Sequence, residues 1–492
     1  MLPLQIPHTS DLVRVLPEII WCSFGVFLML LQPFLKNHRQ ILTLFGMIGA
    51  ALGTLGTFFG QMGAGFSGLI QFDMLSLFFH WLLGLVTFLV ILASDSYLER
   101  ENLDASEFYA LILFATAGMG VLASAQELLT AFIGLEMSSI SSYILAGYRR
   151  DAVKSSESAV KYFLLGSFAT AFFLYGIALV YGVTGSTNLA KITSADPSSN
   201  LLRMGLGMIL VGLGFKVALA PFQIWTPDVY EGAPTPVTAL FAAGPKAATF
   251  ALLLRIFTTI HAATGFWFWA FWILAVATMF VGNLGAVVQT NVKRMLAYSS
   301  IAHAGYTLVA FAAVTFLKTD PEIGPWPAYA AVLFYLLGYA LVNVGAFTIV
   351  SEIGGKGESR LTLDDFAGLG TRQPFAAAAM SLLLLSLLGM PITAGFFGKF
   401  YVFKAAINSK LIWLAVLMAV NTIIGAYYYL RVLVVMYMRD HEGEVPADAA
   451  RSLSPTAAMV VMVACLATLY LGLFPNHILG LVLSQDLILS AR

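Results

Sequence analysis

Apolar stretches of about 20 residues, the length a helix needs to cross the hydrocarbon core of a bilayer, follow one another from end to end of this chain. About fourteen can be read, at 11–35, 40–60, 70–94, 106–124, 127–147, 156–182, 201–225, 234–258, 266–290, 294–316, 328–351, 374–407, 411–438 and 454–484. A membrane barrel would instead show short segments of alternating hydrophobicity. The fold class is therefore all-α, a polytopic membrane protein of about 14 transmembrane helices. Composition agrees: 59% of the 492 residues are hydrophobic and only 11% charged, with a mean hydropathy of +0.85, outside the range of soluble domains. The N-terminal sequence lacks a basic region ahead of an apolar run and a small-residue cleavage site, so the first helix is expected to be retained. The longest polar interruption, 351–374, is too short for a soluble domain, and its LTLDDFAGL reads as an interfacial turn and short helix. Lys and Arg are more numerous on the face that holds this segment, which places both termini on the outer, periplasmic side.

Against that apolar background, four lysines lie inside spans: Lys161, Lys216, Lys246 and Lys399. A charge at the bilayer centre costs about 2.5–3.5 kcal/mol even on lenient insertion scales, so several imply a task, and proton movement is the task best matched to them. Glu136 in LLTAFIGLEMSSISSYIL is the carboxylate placed at comparable depth. A Glu–Lys pair that can approach or separate loads a lysine and then unloads it; a static packing pair is the alternative. Lys216 and Lys246 flank one tight connection, 226–235, which makes their helices antiparallel neighbours. Lys161 is close enough to its helix end to reach the inner surface or pair with Glu157 one turn away. Arg431 cannot release its proton and at most tunes a neighbour. His303, with Ser299, Ser300 and Tyr306, is either a relay element or a hydrogen-bonded packing residue. Asp73 and His80 read as interfacial or packing residues outside the array.

Pro221 follows Lys216, and Pro391 precedes Lys399. Each proline removes a backbone hydrogen bond and clashes with the preceding turn, so helices 7 and 12 should break inside the membrane, where freed backbone is tolerated only if buried or wet. The opposite order of lysine and proline suggests two inverted five-helix repeats, 105–260 and 265–438, beside a peripheral three-helix segment, 1–104, and a C-terminal helix within 439–492. Cys22 and Cys465 stand alone within spans, without a ligand-spaced partner, and GGKG at 354–357 lacks the Ser/Thr and strand–helix setting of a phosphate loop. No cofactor or metal is expected in this chain. Zero net charge gives nucleic-acid binding no support.

The run KVALAPFQIWTPDVYEGAPTPVTALFAAGPKAATFALLLRIF resembles the antiporter-like subunits of respiratory complex I, the NADH-quinone oxidoreductase, as do NVKRMLAYSSIAHAGY and PITAGFFGKFYVF. TPDVYEGAPTPV and the lysine at 399 look like the N type, since the M type typically has glutamate there. The resemblance covers nearly the whole chain. It implies a membrane-arm subunit that carries protons, among neighbouring antiporter-like and small membrane subunits in a prokaryotic plasma membrane. NADH, FMN, iron–sulfur clusters and quinone would belong to partner subunits. Carried over by motif, Glu136 and Lys216 form the charge pair, Lys161 modulates it, Lys246 is the central relay and Lys399 lies on the exit side. Gln223 departs from the family's PFHxW motif; an amide orders water but cannot titrate. The eleventh span has Tyr335, Tyr339 and Asn343 and no ionisable relay, so the link from Lys246 to Lys399 is expected through water and His303. Related rivals are a multi-subunit cation/proton antiporter and a membrane-bound hydrogenase; a purely structural anchor leaves the buried charges unexplained.

Overall fold

The computed structural model describes residues 8–35, 38–193, 196, 198–259, 264–317, 326–440 and 452–482. Twenty helices make up nearly all of it. In chain order they are α1 (Thr9–Arg14), α2 (Leu16–Leu35), α3 (Arg39–Gly56), α4 (Met74–Glu101), α5 (Ala105–Ser124), α6 (Leu128–Ala146), α7 (Val153–Thr184) and α8 (Leu189–Ile192). Next come α9 (Asn200–Val217), α10 (Trp225–Gly232), α11 (Thr235–Thr259), α12 (Thr264–Val287), α13 (Val292–Leu317) and α14 (Trp326–Gly354). The last are α15 (Leu369–Arg372), α16 (Pro374–Leu388), α17 (Ala394–Asn408), α18 (Ile412–Met438), α19 (Pro455–Leu473) and α20 (Pro475–Val482).

Thirteen helical segments, α9 and α10 counted together, are long and apolar enough to cross a membrane. The stretch expected as one span at 374–407 is instead two shorter helices, α16 and α17. Two spans end earlier than hydropathy suggests. The stretch 201–225 stops being α-helical at Val217, and 454–484 is interrupted at Phe474 ahead of Pro475. A two-stranded hairpin, Gly63–Gly65 against Ile70–Phe72, sits between α3 and α4 and is absent from the sequence reading. Three residues per strand give hydropathy no period to register.

Burial is unequal among the spans. The spans of α11, α13 and α14 are almost wholly enclosed, whereas α2, α7, α12, α18 and α19 turn much of their surface outward. Enclosed helices must satisfy their polar side chains on each other, and Lys246, Ser299, Ser300, His303 and Asn343 all lie on these three.

Both interruptions are fully capped. At the first, Ala218 takes a left-handed conformation (φ 62°), and Leu219 N donates to Gly214 O at 2.8 Å. The Trp225 indole donates to the freed Phe215 carbonyl at 2.9 Å, and Ala220 N donates to Thr278 Oγ1 of α12 at 3.0 Å. At the second, Gly389 is left-handed (φ 97°), and Gly389 N and Met390 N donate to Leu385 O at 3.0 and 2.9 Å. Gly395 N donates to Ser386 Oγ at 3.1 Å. Glycine is required at 389, because its φ is one that other residues rarely adopt and the Lys399 stem passes 3.0 Å from where a Cβ would stand.

Candidate functional site

A lysine stands at each interruption. Lys216 occupies the last turn of α9, one residue from the helix end, and its side chain is buried under aromatic rings. Its Nζ lies 5.1 Å from the centroid of Tyr143 and 5.2 Å from that of Tyr162, with Tyr143 Oη at 3.5 Å. Glu136 is within electrostatic reach of Lys216 but makes no contact ion pair with it, and Glu136 Oε1 is buried without a hydrogen-bond partner. The expected charge pair therefore stands apart in this structure. A small cavity with room for about one water adjoins Lys216, lined by Ser138, Ser139 and Ser142 of α6 and by Pro245 and Thr249 of α11.

Pro245 precedes Lys246 on α11, so the wall of this cavity is formed by the helix that carries the second lysine. Lys246 Nζ donates to Ser300 O at 2.9 Å and also to Ser300 Oγ. The neighbouring Ser299 exchanges a hydrogen bond with Tyr429 Oη at 2.5 Å. Tyr429 Oη in turn lies 3.1 Å from His303 Nε2, and His303 Nδ1 lies 2.7 Å from Tyr335 Oη. Tyr335 packs against Gly398, the residue before Lys399. Lys399 Nζ donates to Leu388 O across the second interruption at 2.9 Å and lies 4.8 Å from the Tyr306 centroid. Buried hydroxyls and one imidazole thus occupy the space between Lys246 and Lys399. Neither ammonium is matched by an anion in contact, so either can be neutral without stranding a carboxylate.

His303 lies where the sequence places it, within this polar string. Tyr429 was missed: attention falls on Arg431 in AYYYLR, while the preceding tyrosine makes the bridge. Arg431 itself donates to Val287 O at 3.1 Å and to Gln289 O, capping the end of α12, so it serves a helix terminus and not the array. Gln223 carries a buried Oε1 without a partner. Tyr339 and Asn343 likewise leave Oη and Oδ1 unpartnered beside the string.

A second group of charges gathers around α10 and α13. Lys161 pairs with Glu157 at 2.6 Å, as its spacing suggests, and also with Asp228 at 2.7 Å. Asp228 accepts from Arg294 at 2.8 Å, and Arg294 reaches Glu231 at 2.9 Å. Lys293, in the first turn of α13, is fully buried, donating to Glu358 at 2.7 Å and to Glu231 O at 3.2 Å. Glu358 also accepts from Thr235 N at 2.8 Å. In TPDVYEG two carboxylates sit one turn apart on α10, and both meet Arg294 of NVKR. Arg255, near the end of α11, is buried and holds Asp73 through two contacts at 2.7 and 2.9 Å.

Residues 125–425 match a family profile described as NADH:quinone oxidoreductase/Mrp antiporter, TM. A relative from Solibacter usitatus named NADH-quinone oxidoreductase subunit N 1 is 49% identical, the match covering 96% of each chain. The chain belongs to the subunit N family of NADH-quinone oxidoreductases. Its fold matches a chain in the structure of respiratory complex I from Thermus thermophilus with a TM-score of 0.78 at 37% identity, covering 94% of this chain and 98% of that one. A chain of the Mrp complex from a Dietzia species matches with a TM-score of 0.82 at 21% identity, covering 98% of this chain and 97% of that one. That second likeness is one of fold. The subunit N fold is the setting in which the two interrupted helices and the polar string between Lys246 and Lys399 are to be understood.

Proposed function

We propose that this chain moves protons across a bacterial plasma membrane as the membrane-arm subunit N of an NADH:quinone oxidoreductase. The observation that carries this reading is the polar string from Lys246 through Ser300, Ser299, Tyr429, His303 and Tyr335 toward Lys399, between two capped helix interruptions. In this reading Glu136 approaches Lys216 to hold it charged and retreats to let it discharge. Lys246 receives the proton through the serine-lined cavity, and the hydroxyl string passes it to Lys399. Lys161 controls the first step by dividing its charge between Asp228 and Glu157. Gln223 orders water beside the first interruption but does not itself titrate.

Residues 105–260 and 265–438 act as two half-channels in inverted relation, flanked by a peripheral segment, 1–104, and a C-terminal helix. Both termini face outward and the 351–374 connection faces inward. NADH, FMN, iron–sulfur clusters and quinone belong to partner subunits, and neighbouring antiporter-like and small membrane subunits pack against this one.

The test is Lys246→Met in the assembled complex. In membrane vesicles, NADH-driven proton uptake should fall at least tenfold while native gels show full assembly. Undiminished pumping at normal turnover would overturn the path. The fold shared with an Mrp complex chain keeps a second reading in view, that of a cation/proton antiporter subunit. Sodium-dependent proton exchange by the isolated chain would support that reading.

A further inference from the structure

Away from the lysine string, a second set of buried ionisable groups joins α2 and α4 to α11. Glu18, in the first turn of α2, is 6% exposed, and His80 of α4 is 0% exposed. Glu18 Oε1 lies 2.7 Å from His80 Nε2. The other ring nitrogen, Nδ1, lies 2.6 Å from the Ser76 carbonyl oxygen. A carbonyl can only accept, so Nδ1 carries a hydrogen. The short contact at Nε2 also needs a hydrogen between nitrogen and oxygen. It sits either on the imidazole, facing a carboxylate, or on the carboxyl, facing a neutral ring. In both forms the pair is neutral overall and holds one proton beyond a bare carboxylate and neutral imidazole.

The surroundings fit a proton held in that way. Trp21 stacks on His80 with centroids 5.9 Å apart, closing the pair from one side. Gly120 of α5 closes another, and a Cβ there would stand 2.8 Å from Glu18 Oε1 and 3.2 Å from His80 Nε2. Glu18 Oε2 is buried and has no hydrogen-bond partner. Arg255 of α11 acts electrostatically on His80 and Glu18 on Cys22 of α2, and Asp73, the N-cap of α4, is bound to Arg255. Asp73 is neutralised by Arg255 through both carboxylate oxygens, so it does not supply the missing partner of Glu18. Asp73 and Ser76 form the capping box of α4, which connects the pair to the ion pair through Ser76.

We infer that Glu18 and His80 form a separate proton-binding site of the peripheral helices, holding one exchangeable proton between carboxylate and imidazole. The ligand is a proton, and the exchange is simple: the shared hydrogen leaves from Nε2 or Oε1 and returns there, while the Nδ1 hydrogen stays with Ser76. Access is short, since Glu18 lies within one turn of the start of α2. Arg255 also lies on the same helix as Lys246, 255 − 246 = 9 residues away or about 13 Å along the axis, so a shift of α11 would reach both sites.

The test reads proton binding directly and leaves the lysine path untouched whichever way it falls. The full chain in lipid bilayers, with histidine ring nitrogens labelled with nitrogen-15, is titrated through the range in which carboxylates and imidazoles exchange protons, with His80 assigned by the signal lost in His80→Asn. The wild-type Nε2 signal should pass between protonated and unprotonated positions while Nδ1 stays protonated. In Glu18→Gln, whose amide can donate to Nε2, that transition should disappear from its wild-type position. If the wild-type Nε2 keeps one state across the whole range, the pair is a static packing contact and the inference fails. That arm needs no variant at Glu18 to fold. A Nε2 transition unchanged in Glu18→Gln would equally remove Glu18 from the site.

Discussion

Lysine suits the string because it can carry a proton or release it, whereas arginine at the same place would remain a fixed cation. Lys216→Arg is accordingly expected to impair pumping nearly as much as Lys216→Ala, a comparison made by dye-monitored proton uptake in vesicles. Glu136 stands apart from Lys216 in this structure, yet the proposed cycle requires their approach. Glu136→Gln and Lys216→Ala should each lower pumping, and the double variant should lose less than the two single losses combined. Strict additivity would separate the two residues. Lys399, held to the Leu388 carbonyl across the second interruption, provides a sharper contrast with Lys404 on the exposed side of α17. Lys399→Met should lower quinone reduction and pumping together in an assembled complex. Lys404→Met should change both by less than a factor of two.

Each interrupted helix is a feature of an element and not of one residue. Four groups freed by the first break are satisfied by a left-handed residue, an indole and a threonine. Trp225→Phe removes the indole donor and leaves the buried Phe215 carbonyl with the Ala218 amide alone, a loss of one hydrogen bond worth about 0.5–1.5 kcal/mol. Thermal inactivation of the complex should therefore begin at lower temperature, while Trp225→Phe leaves α16 and α17 unaffected by hydrogen exchange. Element order also fixes the sidedness of the connections. Ser359, between α14 and α15, and Asn476, in α20, are separated by three crossings and are both exposed. Cysteines placed at these two sites on a background without Cys22 and Cys465 should react with impermeant reagent from opposite sides, Ser359 from the inside. Labelling of Ser359 from outside would reverse the proposed orientation.

At the scale of the molecule, the charge cluster around α10 and α13 ties the regions on either side of residue 260 together. Arg294 and Lys293 of α13 grip Asp228 and Glu358, while Lys161 of α7 and Thr235 of α11 hold the same carboxylates from the other side. Burial alone would raise the pKa of Glu358, but the charge and hydrogen bonds of Lys293, with those of Thr235, outweigh it and hold the carboxyl below its ordinary value of 4.5. A depressed carboxylate pKa contributes stability that is present above the unfolded value and lost as pH falls through the folded one. The connection 355–362 should therefore loosen on acidification below about pH 4.5, read as faster amide hydrogen exchange there. Glu358→Gln should remove this acid response and, by leaving Lys293 buried without its anion, destabilise this cluster by about 3–5 kcal/mol.

Hydropathy determined the membrane setting, the all-helical class and the crossings, because twenty apolar residues have few other places to go. It also picked out Lys216, Lys246, Lys399 and Glu136, since a charge in an apolar stretch is conspicuous without knowledge of neighbours. Pro221 and Pro391 mark where the α-helices end, although the capping by Trp225, Thr278 and Ser386 depends on side chains that other segments bring in. Partnership was what the sequence left open. Tyr429 meets His303 from 126 residues away, and Arg255 meets Asp73 from 182. Asp228 and Glu231 look like ordinary helix-end carboxylates until α13 packs beside α10 and supplies their cations. His80 reads as an interfacial or packing residue, and only the tertiary fold brings Glu18 of α2 within 2.7 Å of it. Local composition sets the cost of burying a group, whereas the groups that offset this cost are chosen by which helices touch.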